Sequence, residues 1–299
     1  MQAHQQNISL TQKSIWSAKV SDYVLLFKVR LTTLVVFSTF IGYVISSPAS
    51  WMALLPLLIG GFLTVASANS LNQIIERNTD KLMLRTLNRP LATNRMSVGE
   101  ALIASLVTGF GGVLLLGTYL NHVSAILALI GLLIYAFAYT PLKKVSEISV
   151  WVGAISGAIP PMVGVAAATG EITAVAWILF ALQFVWQFPH FYSIAWILFD
   201  DYKRAGLRLM PFGRRKDKVS AWQIFGLSFL LIPMAFLPLI LNGTFIFSIA
   251  LSLIAGVYVV YRSWNLAKGL DDKAGKKLMF ASFIYLPVML LGFLIDSMI

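Results

Sequence analysis

Asn69-Ser-Leu-Asn-Gln-Ile-Ile-Glu-Arg-Asn-Thr-Asp-Lys-Leu-Met-Leu-Arg-Thr-Leu-Asn-Arg-Pro-Leu91 is where a long apolar run, beginning near residue 52, turns polar. Asn72, Glu76 and Asp80 recur at every fourth position. Four helical steps of about 100° overshoot a full turn by about 40°, so on a helix the three oxygen-bearing side chains line one face. Arg77, Lys81, Arg85 and Arg89 stand around them. Hard oxygen ligands beside a basic cluster suit a divalent cation holding a phosphorylated substrate. The plain alternative is a polar helix end capped by charges and closed by Arg89-Pro90, because proline disfavours helix at the residue before it. Three ligands in register with four cations favour the site.

Working outward, the 299-residue chain is 58% hydrophobic and only 12% charged, with a mean hydropathy of +0.80. A soluble domain carries about twice that charged fraction. Apolar runs long enough to cross a bilayer, which takes about 20 residues, recur throughout. The reading is an all-α integral membrane protein. The chain contains no cysteine, which excludes disulfides, thiolate metal sites and a cysteine nucleophile. Residues 1–23 read as a cytoplasmic N-terminal tail and not a signal peptide, since they lack an apolar core with a small-residue cleavage site. Residues 24–299 read as a single membrane-embedded domain.

Nine spans are expected, at roughly 24–46, 52–74, 98–119, 122–140, 150–168, 172–198, 221–241, 244–262 and 278–297. On that count all 23 lysines and arginines fall on one side of the membrane. The positive-inside rule then places the N-terminus and every long loop in the cytoplasm and the C-terminus outside. A net charge of +11 and a pI near 9.9 are accounted for by orientation and contact with anionic lipid, so they imply no nucleic-acid partner. Orientation does not account for the acid mixed into those basic loops. Of the 12 carboxylates, only Glu171 and Asp296 lie on the outer side.

A second acidic pair, Asp200-Asp201, follows the sixth span and is succeeded by Lys203 and Arg204. Adjacent carboxylates repel unless a cation relieves them. Two carboxylate sets on one side could hold Mg²⁺ against a diphosphate and stabilise it as a leaving group. Within the sixth span, Gln183-Phe-Val-Trp-Gln-Phe-Pro-His-Phe-Tyr192 places Gln187 and His190 at membrane depth beside a kinking Pro189. Such groups are costly against lipid and are expected to line an internal cavity or to hydrogen-bond within the kink. Lys28 and Arg30, which open the first span, are adequately explained by snorkelling and could add positive potential. The same holds for Lys143 and Lys144 at the end of Tyr139-Thr-Pro-Leu-Lys-Lys144. Gly153-Ala-Ile-Ser-Gly157, with Pro160-Pro161 and Gly164, permits close packing and a broken fifth helix.

These strings resemble the intramembrane, UbiA-type prenyltransferase superfamily over nearly the whole chain. The most specific pieces are Asn72-x3-Glu76-x3-Asp80-x2-Met83-x-Arg85-Thr86-x2-Arg89-Pro90-Leu91, Tyr139-Thr140-x-Leu142-Lys143-Lys144, Trp186-Gln187-x-Pro189-His190-Phe191 and Asp201-Tyr202-x2-Ala205-Gly206. The Met-x-Arg-Thr-x-x-Arg-Pro and Gln-x-Pro-His-Phe strings are similar to the haem-farnesylating branch in particular. The resemblance implies a nine-helix bundle in the cell (inner) membrane, with its active site on the cytoplasmic side. It implies farnesyl transfer from farnesyl diphosphate to a vinyl group of haem b, with Mg²⁺ as cofactor. Haem A synthase or a terminal-oxidase assembly factor would be a partner.

By position, Asn72, Glu76, Asp80 and Asp201 are implied as catalytic, and together with Asp200 as metal ligands. Arg77, Lys81, Arg85, Arg89, Lys143, Lys203, Arg204, Gln187 and His190 are implied as substrate-binding. Three positions depart from the family pattern. Glu76 stands where Asp is usual, the second motif lacks Asp-x3-Asp, and Arg208 replaces a usual Pro. The rivals are a prenyltransferase for an aromatic quinone precursor and a secondary transporter. The transporter reading fits poorly, because transporters keep ionisable groups near the bilayer midplane and no expected span interior here carries Asp or Glu.

Overall fold

The computed structural model describes residues 16–46, 50–211, 215–241 and 245–299. Residues 1–15 of the expected tail, and the turns at 47–49 and 242–244, lie outside the described residues, as do 212–214. Among the described residues there is no strand. In a bilayer every backbone polar group must be satisfied within the protein, and a helix does so within its own segment.

The helices are α1 (Trp16–Leu26), α2 (Val29–Val44), α3 (Leu54–Asp80), α4 (Val98–Tyr119), α5 (His122–Leu133), α6 (Thr140–Val145), α7 (Ser149–Thr169), α8 (Ala174–Ile197), α9 (Phe199–Arg204), α10 (Lys218–Phe229), α11 (Leu231–Met234), α12 (Ile246–Gly269) and α13 (Asp272–Asp296). Among the described residues, eight helical stretches are long and apolar enough to cross a membrane. The α1–α2 pair, bent by 47°, makes nine if it counts as one span. The expected count and order are therefore recovered. Side chains start several of the helices. Ser97, Asn121, Thr173, Asp217 and Asp271 each accept a hydrogen bond from a backbone N–H in the first turn, satisfying a donor with no intrahelical partner.

α7 is the centre of the bundle. Two-thirds (67%) of its most apolar window is buried, against 28% for α4 and for the span containing α10. It packs on α2, α5 and α8; α8 packs in turn on α13, α13 on α12, and α3 on α4 and α2. Glycine makes the central crossing possible. A Cβ on Gly164 would collide with the Thr39 carbonyl oxygen of α2, and one on Gly42 with the Pro161 carbonyl of α7. Small residues let backbones meet where lipid offers no competing hydrophobic drive.

Several boundaries differ from the sequence expectation, each for a physical reason. Helix begins at Trp16, inside the stretch expected as tail. α1 is tied to the start of α4 by Lys19 and Tyr23 on Glu100, and Arg95 nearby holds Asp22. α3 continues six residues past the expected end of its span, carrying the whole Asn72–Asp80 row on one helix. The fifth helix, expected to break, runs unbroken through Pro160 and Pro161, and α8 runs through Pro189. The span containing α10 is instead interrupted at Leu230, where α10 gives way to α11. α12 and α13 extend toward the charged end, so most of the expected basic connection 262–277 is helix.

Candidate active site

The site grows from two irregularities and one regular row. Between α1 and α2, Lys28 adopts a left-handed backbone, φ 46° and ψ 51°, which costs a non-glycine residue roughly 1–2 kcal/mol. The helix break frees backbone carbonyls from their intrahelical partners, and each needs another donor. Gln73 Nε2 donates to the Leu25 and Leu26 oxygens at 2.9 and 2.8 Å, and Thr32 Oγ1 donates to the Phe27 oxygen. Three consecutive carbonyls are thus satisfied by side chains, two of them from α3. The second irregularity is a π-helical turn at Ile134–Tyr139. Thr140 Oγ1 donates into it, to the Tyr135 oxygen at 2.8 Å. Such turns re-aim the residues that follow, here Thr140 and Lys143.

Against these the α3 row meets a separate cation at each step. Lys28 Nζ donates to Asn72 Oδ1 at 3.1 Å, and Asn72 Nδ2 donates to Thr140 Oγ1 at 3.1 Å. Lys143 Nζ lies 2.9 Å from Glu76 Oε1 and 4.3 Å from the centre of the Tyr139 ring. Arg89 Nη1 donates to both oxygens of Asp80 at 2.8 Å. Asn72, Glu76 and Asp80 are buried, at 1%, 4% and 0% exposure. A buried carboxylate is tolerable only when paired in this way.

The second acidic set joins them in part. Asp201 is buried, pairs with Arg204, and accepts the Arg85 backbone N–H at 3.4 Å. That bond links α9 to the stretch following α3. Tyr202 beside it is pushed above the usual phenol range by burial, against the pull of Arg85, Lys143 and Arg89; its hydroxyl stays protonated at neutral pH.

Not every expected residue arrives. Arg77 is exposed, and its guanidinium turns back to the Ile74 carbonyl. Lys81, Lys203 and Asp200 are exposed, so of the second acidic pair only Asp201 is buried. Gln187 donates to the Ala154 carbonyl at 2.9 Å and presses on Gly157, cross-linking α8 to α7. His190 Nδ1 lies 3.0 Å from Ser282 Oγ, with its ring stacked on Trp186 and met edge-on by Phe283. Those partners join α8 to α13. Among the described residues no bond connects His190 to the acidic row. Lys28 and Thr140 were not among the expected site residues. Their signal was present, in Lys28-Val-Arg30 and Tyr139-Thr-Pro-Leu-Lys-Lys144, but read equally well as snorkelling.

The donor set determines what the site can hold. Among the described residues no three histidines or carboxylates gather into a ready metal cage. Two carboxylates and an amide on one helix, with Asp201 linked to the stretch after it through the Arg85 backbone, fit Mg²⁺ only when substrate phosphates complete its shell, which is how Mg²⁺ is usually bound. Four cations against three carboxylates leave the cluster net positive. The arrangement suits a metal–diphosphate complex better than a bare ion.

A family model described as the UbiA prenyltransferase family matches residues 35–285. A protoheme IX farnesyltransferase of Cytophaga hutchinsonii is 43% identical over 283 residues, spanning 94% of this chain and 99% of that protein. One of Flavobacterium johnsoniae is 39% identical, over 92% of this chain and 94% of that protein. Among solved structures, a digeranylgeranylglyceryl phosphate synthase superposes with a TM-score of 0.76 at 22% identity, covering 94% of this chain and 99% of that one. A UbiA homolog from Archaeoglobus fulgidus bound to GPP and Mg²⁺ gives 0.67 at 17% identity, covering 91% and 99%. At such identities the structures speak to the fold alone.

Proposed function

The chain belongs to the UbiA prenyltransferase family, and on that premise we propose that it transfers a farnesyl group from farnesyl diphosphate to a vinyl group of haem b, forming haem O. The acceptor follows the relatives named protoheme IX farnesyltransferase. The observation that carries the chemistry is the α3 row, with Asn72, Glu76 and Asp80 each on its own cation.

Glu76, Asp80 and Asn72, with Asp201, would hold Mg²⁺ against the diphosphate. The ion would neutralise the charge that grows on the leaving oxygen. When the diphosphate binds, Lys28, Lys143 and Arg89 are already in place to turn from the α3 oxygens to its phosphate oxygens. The allylic carbon–oxygen bond breaks, and the electron pair leaves with the diphosphate. The terminal vinyl carbon of haem b attacks the allylic carbon, and water adds its hydroxyl to the inner vinyl carbon as its proton is released. Stabilising the leaving charge with preplaced donors is where such a site gains most of its rate.

The membrane would be the cell membrane, with the site facing the cytoplasm, because the basic residues gather at one end. The test is a product assay with purified protein, haem b, farnesyl diphosphate and Mg²⁺. The expected product is a haem heavier by one farnesyl group and one hydroxyl group by mass spectrometry. Prenylation of 4-hydroxybenzoate with haem b untouched would assign the chain to a quinone branch instead.

A further inference from the structure

Beyond the α3 row lies a cavity of about 460 Å³ between α9 and the loop that follows it. Lys203, Arg208 and Arg215 supply its charge, and Phe199, Tyr202 and Met210 form much of its apolar wall. No carboxylate lines it. Among the described residues the ion pairs on this stretch are Arg204 with Asp201 and Lys216 with Asp272, and none joins Lys203 or Arg215 to a carboxylate. Arg208 spends one N–H on the Val145 carbonyl at 2.5 Å, leaving the rest of its guanidinium donors unspent. Three uncompensated cations around an apolar wall call for a ligand with a flat hydrophobic body and more than one negative charge.

We propose that this cavity grips the two propionate carboxylates of the haem acceptor, a subsite separate from the diphosphate cluster; this rests on the haem-farnesylating reading above. The cavity is poor for the diphosphate, since it offers no oxygen ligand for the accompanying metal. It is nevertheless coupled to the reacting centre. The Arg208 backbone N–H donates to the Lys143 carbonyl at 2.7 Å, and Lys143 holds Glu76. Propionates and vinyl groups lie on different edges of a haem, so gripping the carboxylates leaves a vinyl edge free to meet the allylic carbon. A phospholipid headgroup brings a single phosphate and no flat body, and matches the set less well.

The test is a haem titration of the full-length purified protein in detergent, followed by the Soret band, with haem b and its dimethyl ester. Esterification removes both charges and keeps the ring. Wild type should prefer haem b by about tenfold or more, the scale of a hydrogen bond to a charged group. R208Q and R215Q should each erase most of that preference while R215K retains it, with melting temperatures confirming that the variants fold. In turnover assays both glutamine variants should raise KM for haem b and hold KM for farnesyl diphosphate. Equal affinity of wild type for haem b and its ester would overturn the proposal. So would full preference in both glutamine variants, or variants that lose only phosphatidylglycerol from nanodiscs. Each of those outcomes leaves farnesyl transfer standing, because product mass reads it independently. A chain that farnesylates no haem removes the premise itself.

Discussion

Asp80 sits fully buried with both oxygens on one guanidinium nitrogen of Arg89, so its substitution has two separable consequences. Asp80→Asn should lower turnover by about 10²–10³, the usual cost of losing a group that stabilises the departing charge. It should also leave Arg89 without its counter-ion, which lowers the melting temperature. Glu76→Asp keeps charge and ligand type and should be milder on both counts. Near-normal turnover in purified Asp80→Asn would remove the residue from the reaction. Lys28 carries a companion prediction. Lys28→Met should raise KM for farnesyl diphosphate about tenfold through loss of one charged hydrogen bond, with Lys28→Arg partly restoring it; an unchanged KM in Lys28→Met would confine Lys28 to the helix break. At this scale the sequence was legible where chemistry and periodicity agreed, as in the four-residue spacing of the α3 row. It was illegible for Lys28, because no glycine or proline marks the break, and its carbonyls are satisfied partly by Thr32 of the next helix and chiefly by Gln73 of α3, distant in sequence. His190 reads two ways in the sequence, as a substrate contact or as a hydrogen-bonded histidine within the kink, and its partners within the fold are Ser282 and the rings of Trp186 and Phe283.

Among the elements, α7 and its crossing with α2 fix the geometry on which the site depends. Proline pairs read in isolation predict a broken helix, but Pro160 and Pro161 lie within a helix that is two-thirds buried. Neighbouring helices can support the backbone that proline frees. What the sequence did convey was the run of small residues, and Gly164 is its sharpest test. A Cβ there meets the Thr39 carbonyl and the Tyr43 backbone nitrogen, neither of which can rotate away. Gly164→Val should therefore force α2 and α7 apart and cost roughly 1–3 kcal/mol or more, the range for overpacking. Thermal unfolding in detergent should show a clear fall in midpoint. Gly111→Ala provides the control, since a Cβ there meets nothing within 4 Å; equal midpoints for the two variants would mean that the crossing is looser than described. Elements set by composition, the long apolar spans, were readable to within a few residues. Those set by tertiary contact were not, namely the α1–α2 bend, the π-helical turn before Thr140 and the step at Leu230.

Across the whole molecule, charge is distributed so that the buried acidic row is paired without any metal ion. The buried carboxylates Glu76 and Asp80 are already neutralised by Lys143 and Arg89, so no uncompensated buried charge awaits an ion. Chelation with EDTA should accordingly abolish farnesyl transfer while leaving the melting temperature in detergent close to its starting value. Mg²⁺ alone should add little stability, because it must displace two well-placed cations from buried oxygens. Mg²⁺ together with inorganic diphosphate should raise the midpoint in a concentration-dependent way, since a ligand that binds only the folded state stabilises by mass action. The two additions should act together and not additively, because substrate oxygens complete a metal shell that the protein leaves sparse. Asp201→Asn should then shift the Mg²⁺ dependence of that stabilisation to higher concentration without removing it, as Asp201 meets the cluster from α9 through the Arg85 backbone. Full turnover in chelator would refute the metal assignment for both acidic sets together. A large rise in midpoint with Mg²⁺ alone would show instead that the α3 row binds the ion unaided, and that Lys143 and Arg89 yield their positions before the diphosphate arrives.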